Sequence, residues 1–256
     1  MDPDIIQFIE KKIMGILLKD EPEIKLWCCK ISSILKLVFC EEKHHILNQG
    51  DFMVKNQTIK RDDLTINFLS ESEFQILNKF KSLKKQMEWL SGRFLLKSCL
   101  CSFVDNIDKL GKLEDIIISY EKYGAPFLPD FSDIKISLSH SGNWVSIGVC
   151  KKKNVNIGVD IEQFRQKPDK NFIKTAFTKK EISCMGNSVE EILKKWTAKE
   201  AFLKYIKKGF NENLHRVEVI KERVFYNQKD ACISIFSQTV GKIFIISLVT
   251  GRTLEP

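Results

Sequence analysis

Asp160 and Glu162 stand two residues apart in Gly158-Val159-Asp160-Ile161-Glu162, where apolar and acidic residues alternate. Side chains of an extended strand alternate between faces, so the two carboxylates share one face while Val159 and Ile161 share the other. Carboxylates side by side repel unless a cation lies between them. Hard oxygen donors in small number suit Mg²⁺, which takes one or two carboxylates together with phosphate oxygens. Two solvated acids on an exposed strand are the plainer reading, and these residues alone leave both open.

A second group lies in Trp-Thr-Ala-Lys-Glu-Ala-Phe-Leu-Lys at 196–204. Trp196, Lys199, Glu200, Leu203 and Lys204 recur at i, i+3, i+4, i+7 and i+8, so they form one helical stripe. A core-facing stripe should be apolar; this one carries a carboxylate and two ammonium groups, as a solvated face or the lining of a polar cleft would. Glu200 and Lys204 make a simple i, i+4 pair, worth about 0.2–0.5 kcal/mol. Alternatively Glu200 is a third carboxylate near a metal, or a general base, and Lys204 balances a phosphate. Ser139-His140-Ser141-Gly142 offers hydroxyls, an imidazole and a flexible glycine that can gather around an anion or make a plain turn. A His-activated serine does not fit, because neighbours on a strand do not face each other and no Gly-x-Ser-x-Gly elbow is present. Arg93 and Lys97 lie one turn apart in an earlier helical segment, with Lys84 and Lys85 upstream.

The elements that must position these groups follow from pattern. Asp2-Pro3 starts a helix whose apolar stripe (Ile5, Ile6, Ile9, Ile13, Ile16, Leu17) ends near Asp20-Glu21-Pro22. Residues 24–31 read as a strand, with a helix through Leu37 as the alternative, and 41–63 as a long polar loop. Ser70-Glu71-Ser72-Glu73 is a capping box; the helix after it is expected to break or kink near Gly92 and end about Phe103. Strands are expected at 116–120, 134–138, 145–150 and 155–161, with Gly124-Ala125-Pro126 a turn and 151–154 a hairpin turn. Thr178-Lys179-Lys180-Glu181 is a second capping box, Gly186-Asn187 interrupts, and the main helix spans 189–207 before Gly209. Strands at 217–226, 231–236 and 243–249 close the chain.

The chain also echoes itself. Trp-Leu-Ser-Gly-Arg-Phe-Leu-Leu-Lys at 89–97 lies on 196–204, with Trp89 on Trp196, Arg93 on Glu200 and Lys97 on Lys204. The capping box at Ser70 falls opposite that at Thr178, and three strands follow each long helix. The expected fold is therefore α+β, a pseudo-dimer of two similar α/β halves, each a long helix on a mainly antiparallel sheet. The halves are 1–152, with an N-terminal extension, and 153–256, with the acidic motifs. A ligand cleft is expected between them.

Bulk properties bound the rest. The 256 residues are 43% hydrophobic and 29% charged, as in an ordinary globular protein, and the net charge of +8 favours an anionic partner. The eight cysteines contain no Cys-x-x-Cys pair and suit free thiols in a reducing cytosol. The acidic start, Met1-Asp2-Pro3-Asp4, carries no signal-peptide pattern, and apolar runs fall short of the roughly 20 residues a membrane span needs. A cytoplasmic location is expected.

Taken together and in order, the motifs resemble the Sfp-type 4′-phosphopantetheinyl transferases. Gly158–Glu162 looks like that family's Gly-Val-Asp-Ile-Glu, 196–204 like its Trp-x-x-Lys-Glu-x-x-x-Lys, 137–141 like its Ser-His-Ser segment, and 88–97 like its Glu-x-x-x-Gly-Arg-x-x-x-Lys helix. The likeness runs from about Leu69 to Phe210. It implies Mg²⁺-dependent attack of a carrier-protein serine on the pyrophosphate of coenzyme A, releasing adenosine 3′,5′-bisphosphate. By position it implies Asp160, Glu162 and Glu200 as metal ligands and Glu200 as base. Lys204 and His140 would hold the pyrophosphate. Ser139, Arg93 and Lys85 would approach the 3′-phosphate, with Lys199 assisting at the phosphates. The implied partners are coenzyme A and an acidic apo acyl or peptidyl carrier protein, served by a monomer without nucleic acid or membrane. Two positions depart: Ala125 stands where a Gly-Lys-Pro turn has Lys, and Lys84-Lys85 where Arg is common, which weakens bidentate phosphate recognition. The competing readings are a Mg²⁺-dependent phosphohydrolase or nuclease, a basic nucleic-acid module, and a family member that binds coenzyme A without transfer.

Overall fold

The structure is a computed structural model and describes residues 3–16, 18, 21–41, 59–105, 111–164 and 167–252. His44 and His45 and most of the expected 41–63 loop lie outside the described residues.

The chain opens with α1 (Pro3–Lys12), β1 (Met14–Ile16), β2 (Ile24–Lys30) and α2 (Ile31–Val38). Then come α3 (Glu71–Lys79), α4 (Leu83–Phe103), β3 (Ser119–Tyr120), β4 (Pro126–Phe127), β5 (Lys135–Ser141), β6 (Trp144–Cys150) and β7 (Val155–Gln163). The remainder is α5 (Lys170–Ala176), α6 (Lys179–Ser183), α7 (Val189–Tyr205), β8 (Val217–Ile220), β9 (Arg223–Tyr226), β10 (Lys229–Asp230), β11 (Ser234–Val240) and β12 (Phe244–Arg252). The fold is α+β, and every strand pair is antiparallel among the described residues.

Two sheets carry the architecture, ordered β1-β2-β6-β5 and β11-β12-β7. Alternation along the strands divides their side chains between layers. Cys29, Val145, Ile147 and Val149 pack with α2 and α4 residues such as Leu35 and Leu95. Leu26 and Cys28 face Val159, Ile161 and Ile246 of the other sheet. Val249 packs with Ala201 and Phe202 of α7. The layers therefore run helix, sheet, sheet, helix.

β5 and β7 meet at the edges of their sheets through a row of serines. Ser137 Oγ accepts from the Val159 N–H at 2.9 Å, Ser139 Oγ donates to Asp160 Oδ1 at 2.7 Å, and Ser141 Oγ donates to Glu162 Oε2 at 2.6 Å. Period-two spacing places all three hydroxyls on one side of β5, where they span a seam that no backbone ladder closes.

Several expectations are corrected. The first helix stops at Lys12, because residues 14–16 pair with β2. The helical region breaks at Phe80-Lys81-Ser82, not at Gly92, which lies inside α4. A Cβ on Gly92 would stand 3.2 Å from Leu138 Cδ2, so the residue serves close helix–sheet contact, and packing on nearly every side keeps the helix continuous. Residues 151–154 do not join a hairpin: β6 pairs with β2 and β5, while β7 pairs with β12. The single strand expected over 217–226 is the hairpin β8–β9, turned by Lys221 and Glu222 at φ 48° and 62°. Two successive positive φ values match the twist of a two-residue hairpin turn.

Both expected capping boxes form. Ser70 Oγ accepts from the Glu73 N–H, and Thr178 Oγ1 from the Glu181 N–H. Their glutamates do more than cap. Lys97 Nζ lies 2.5 Å from Glu73 Oε2 and also donates to the Phe68 carbonyl. Lys199 Nζ lies 2.7 Å from Glu181 Oε2 and also donates to the Ala176 carbonyl. All four charged groups are buried. These contacts select a different register for the echo, in which Lys97 answers to Lys199 rather than Lys204.

Candidate functional site

Glycine at 158 sets the site's geometry. A Cβ there would drive into the Ala201 carbonyl and the backbone of Tyr205, so only glycine lets α7 cross β7 this closely. The crossing lays Lys204 over Asp160, with Nζ 2.8 Å from Oδ1. Asp160 is buried, and its second oxygen, Oδ2, has no hydrogen-bond partner.

Glu200 comes from the same helix face. Burial first, then the neighbouring charge of Asp160 and more weakly that of Glu162, raise its carboxyl to about 8 against the opposing pull of Lys204. The three expected carboxylates are thus one electrostatic group. They do not make a ready cage: no three His, Cys, Asp or Glu side chains stand in ligating arrangement among the described residues. Mg²⁺ keeps several waters and takes few protein ligands, so the unsatisfied Oδ2 of Asp160 beside two further carboxyls suits it.

His140 faces away from Ser139, as strand alternation requires. It is half-exposed, and its Nε2 lies 3.0 Å from Glu88 Oε2. Burial alone would raise the Glu88 carboxyl; the hydrogen bond with His140 and the charges of Lys84 and Lys85 outweigh it and hold the group below its ordinary value. A cavity of about 370 Å³ is bordered by Lys85, Glu88, Arg93, Ser139 and His140. Four of the expected cofactor-binding residues therefore share one cavity. Ser139 joins it to the acidic group, since its hydroxyl donates to Asp160.

Arg93 is at the cavity wall but already committed. The residue is 2% exposed, and its guanidinium donates to the Tyr120 hydroxyl and lies 3.4 Å from Glu73. It also stacks between Trp89 and Tyr120, 4.6 and 5.0 Å from the ring centroids. Lys199 is a correction. It points away from Glu200 into the core, has no exposed side chain, and spends its charge on Glu181. Helical stripe arithmetic placed it beside Glu200, but a buried glutamate on α6 claims it.

Sequence reasoning left out Tyr120, and it did not foresee that Ser137 and Ser141 bond to β7. The serines had a signal, their alternation in 137–141. Tyr120 had none, because it reaches Trp89 and Arg93 from a distant two-residue strand. A second cavity, about 380 Å³, lies between the 121–128 turn, β5 and the end of α7, and Lys204 borders it.

Comparison with known proteins follows the same residues. A family model described as the 4′-phosphopantetheinyl transferase superfamily matches residues 156–240. The 4′-phosphopantetheinyl transferase Sfp of Bacillus subtilis (strain 168) is 28% identical over 168 residues, 63% of this chain and 70% of its own. The 4′-phosphopantetheinyl transferase gsp of Aneurinibacillus migulanus is 26% identical over 208 residues, 70% of this chain and 84% of its own. The holo-[acyl-carrier-protein] synthase of Streptococcus suis (strain 05ZYH33) is 32% identical over 102 residues, 38% of this chain and 82% of its own.

Proposed function

The chain belongs to the 4′-phosphopantetheinyl transferase superfamily, and from that premise we propose that it transfers the 4′-phosphopantetheine group of coenzyme A to a serine of an apo acyl or peptidyl carrier protein. The observation that carries this reading is the crossing of α7 on β7, which gathers Asp160, Glu162, Glu200 and Lys204 beside a cavity bordered by Lys85, Ser139 and His140.

Phosphoryl transfer asks mainly for charge neutralisation and in-line placement. Asp160, Glu162 and Glu200 would hold Mg²⁺, which supplies positive charge against the pyrophosphate oxygens when bound. Lys204 balances the pyrophosphate, and His140, which carries an N–H on both ring nitrogens only when protonated, would in that form keep Glu88 and hold the same group. Lys85 and Ser139 face the nucleotide end, and Arg93 stiffens that wall through Tyr120. The carrier serine oxygen bonds to the phosphorus that bears pantetheine. The bond from that phosphorus to the bridging oxygen breaks, and adenosine 3′,5′-bisphosphate leaves with the electron pair. Glu200, ionised beside the bound cation, takes the serine proton directly or through water.

The same reading divides the chain into halves at 1–152 and 153–256, related by a pseudo-twofold with the ligand cleft between them. The paired networks Glu73–Lys97–Phe68 and Glu181–Lys199–Ala176 support that division. No helix among the described residues is long and apolar enough to cross a membrane. We read the protein as a cytoplasmic monomer, and its net charge of +8 suits an acidic carrier.

Mass spectrometry of an apo carrier incubated with this protein, coenzyme A and Mg²⁺ tests the proposal. A gain of the phosphopantetheine mass, lost when the acceptor serine is replaced, is expected. No gain with any carrier type, or hydrolysis of phosphodiesters without carrier modification, overturns it.

A further inference from the structure

The end of α7 leads into the second cavity's rim. The chain leaves the helix through Lys207, whose φ of 58° lies in the left-handed region, where a residue with a Cβ is strained. Lys207 Nζ reaches the Glu121 carboxylate, 2.5 Å away on the opposite rim. That rim is a tight turn: the Glu121 N–H donates to the Ala125 carbonyl at 2.8 Å, and the Gly124 N–H to the Glu121 carbonyl at 2.9 Å. The ion pair therefore ties the two sides of one opening together.

An aromatic ring stands out from each side. Phe210 follows Gly209 and is 71% exposed, the most exposed large apolar side chain among the described residues. Tyr123, at the tip of the opposing turn, is 49% exposed and borders the cavity. Neither ring packs in a core cluster. Exposed aromatics around a concave opening are the usual anchors of protein–protein contact.

The charge around them has one sign in excess. Lys135, Lys204 and Lys207 border the cavity against one carboxylate, Glu121, and the Lys122 ammonium rides 5.4 Å from the Tyr123 ring centroid. A complementary partner carries an apolar side chain ringed by acids. At the inner end Lys204 pairs with Asp160, so whatever docks on the rim meets the acidic group.

We propose that the opening framed by Tyr123 and Phe210 is the docking surface for the acidic carrier protein, with Lys122 and Lys207 meeting its carboxylates; this rests on the transferase reading. The test is steady-state transfer to an acidic apo acyl carrier protein, with coenzyme A and Mg²⁺. Phe210→Ser should raise KM for the carrier about tenfold, as loss of an interface anchor does, and leave KM for coenzyme A and the melting temperature unchanged. Lys122→Glu should raise carrier KM as well, and added salt should shrink the difference from wild type. Unchanged carrier KM in both variants, with wild type active, overturns the surface alone. A KM rise for coenzyme A equal to that for the carrier also overturns it, by placing the rim on the cofactor. A wild type that modifies no carrier brings down the transferase reading, and the surface with it.

Discussion

Lys199 holds its ammonium 2.7 Å from Glu181 with neither side chain exposed, although one residue later Glu200 belongs to the acidic site. Adjacent residues on α7 thus serve opposite ends of the problem: one anchors the helix to the α6 cap, the next faces the chemistry. Burial lowers the proton affinity of Lys199, and the Glu181 carboxylate opposes that loss.

This division predicts that Lys199→Met acts on stability. Removing one partner strands Glu181 as a buried charge, which costs about 3–5 kcal/mol. Urea unfolding should show that loss, while the folded fraction keeps its KM for coenzyme A. A stable variant with a raised KM would return Lys199 to the phosphates.

Glu200→Gln should abolish transfer and leave the fold intact, read by the carrier assay and a thermal melt. It should also change how stability depends on pH in chelator. The folded carboxyl titrates near 8 and an unfolded one near its ordinary value of 4.5, so between them the native state binds the extra proton. Stability from this group is full below about 4.5 and is lost as pH rises towards 8. The glutamine variant should lose that slope; an unaltered slope would show that Glu200 is not the buried acid.

Gly158→Ala forces α7 away from β7. Overpacking of this kind costs about 1–3 kcal/mol, and a displacement of about 1 Å between reacting groups costs about a hundredfold in rate. Both losses should appear, in the urea midpoint and in kcat. Wild-type kcat would mean that the Lys204–Asp160 contact does not set the rate.

The thiols should separate by burial. Cys184 and Cys232 are exposed, whereas burial pushes Cys28 and Cys29 up to about 12 and also raises Cys99 and Cys150. Iodoacetamide at pH 8, followed by peptide mapping, should label Cys184 and Cys232 first and spare Cys28, Cys29, Cys99 and Cys150 until denaturant is added. Early labelling of Cys28 would contradict the inter-sheet core, and early labelling of Cys29 the helix–sheet core.

What was legible in the residues was local. The Ser70 and Thr178 caps, the shared face of Asp160 and Glu162, and the i, i+4 spacing of Glu200 and Lys204 follow from backbone periods acting over a few residues. The resemblance extended that reading to a site because the motifs occur together in order. The cap at Ser188, which accepts from the Glu191 N–H, was equally local and was passed over.

Tertiary structure decided what those local groups face. Gly92 looks like a helix break in sequence, yet contact with Leu138 keeps it inside α4. Lys199 and Lys204 look equivalent on a helical wheel, but a buried carboxylate on α6 takes the first and Asp160 on β7 takes the second. Tyr120 closes on Arg93 across 27 residues of chain. Periodicity specifies a side chain's direction from its own element; its partner is specified by which elements pack there, through burial and charge summed over the whole chain. The sequence by itself thus determined the acidic pair, the caps and the family, while the crossing of α7 on β7 at Gly158 decided that they form one site.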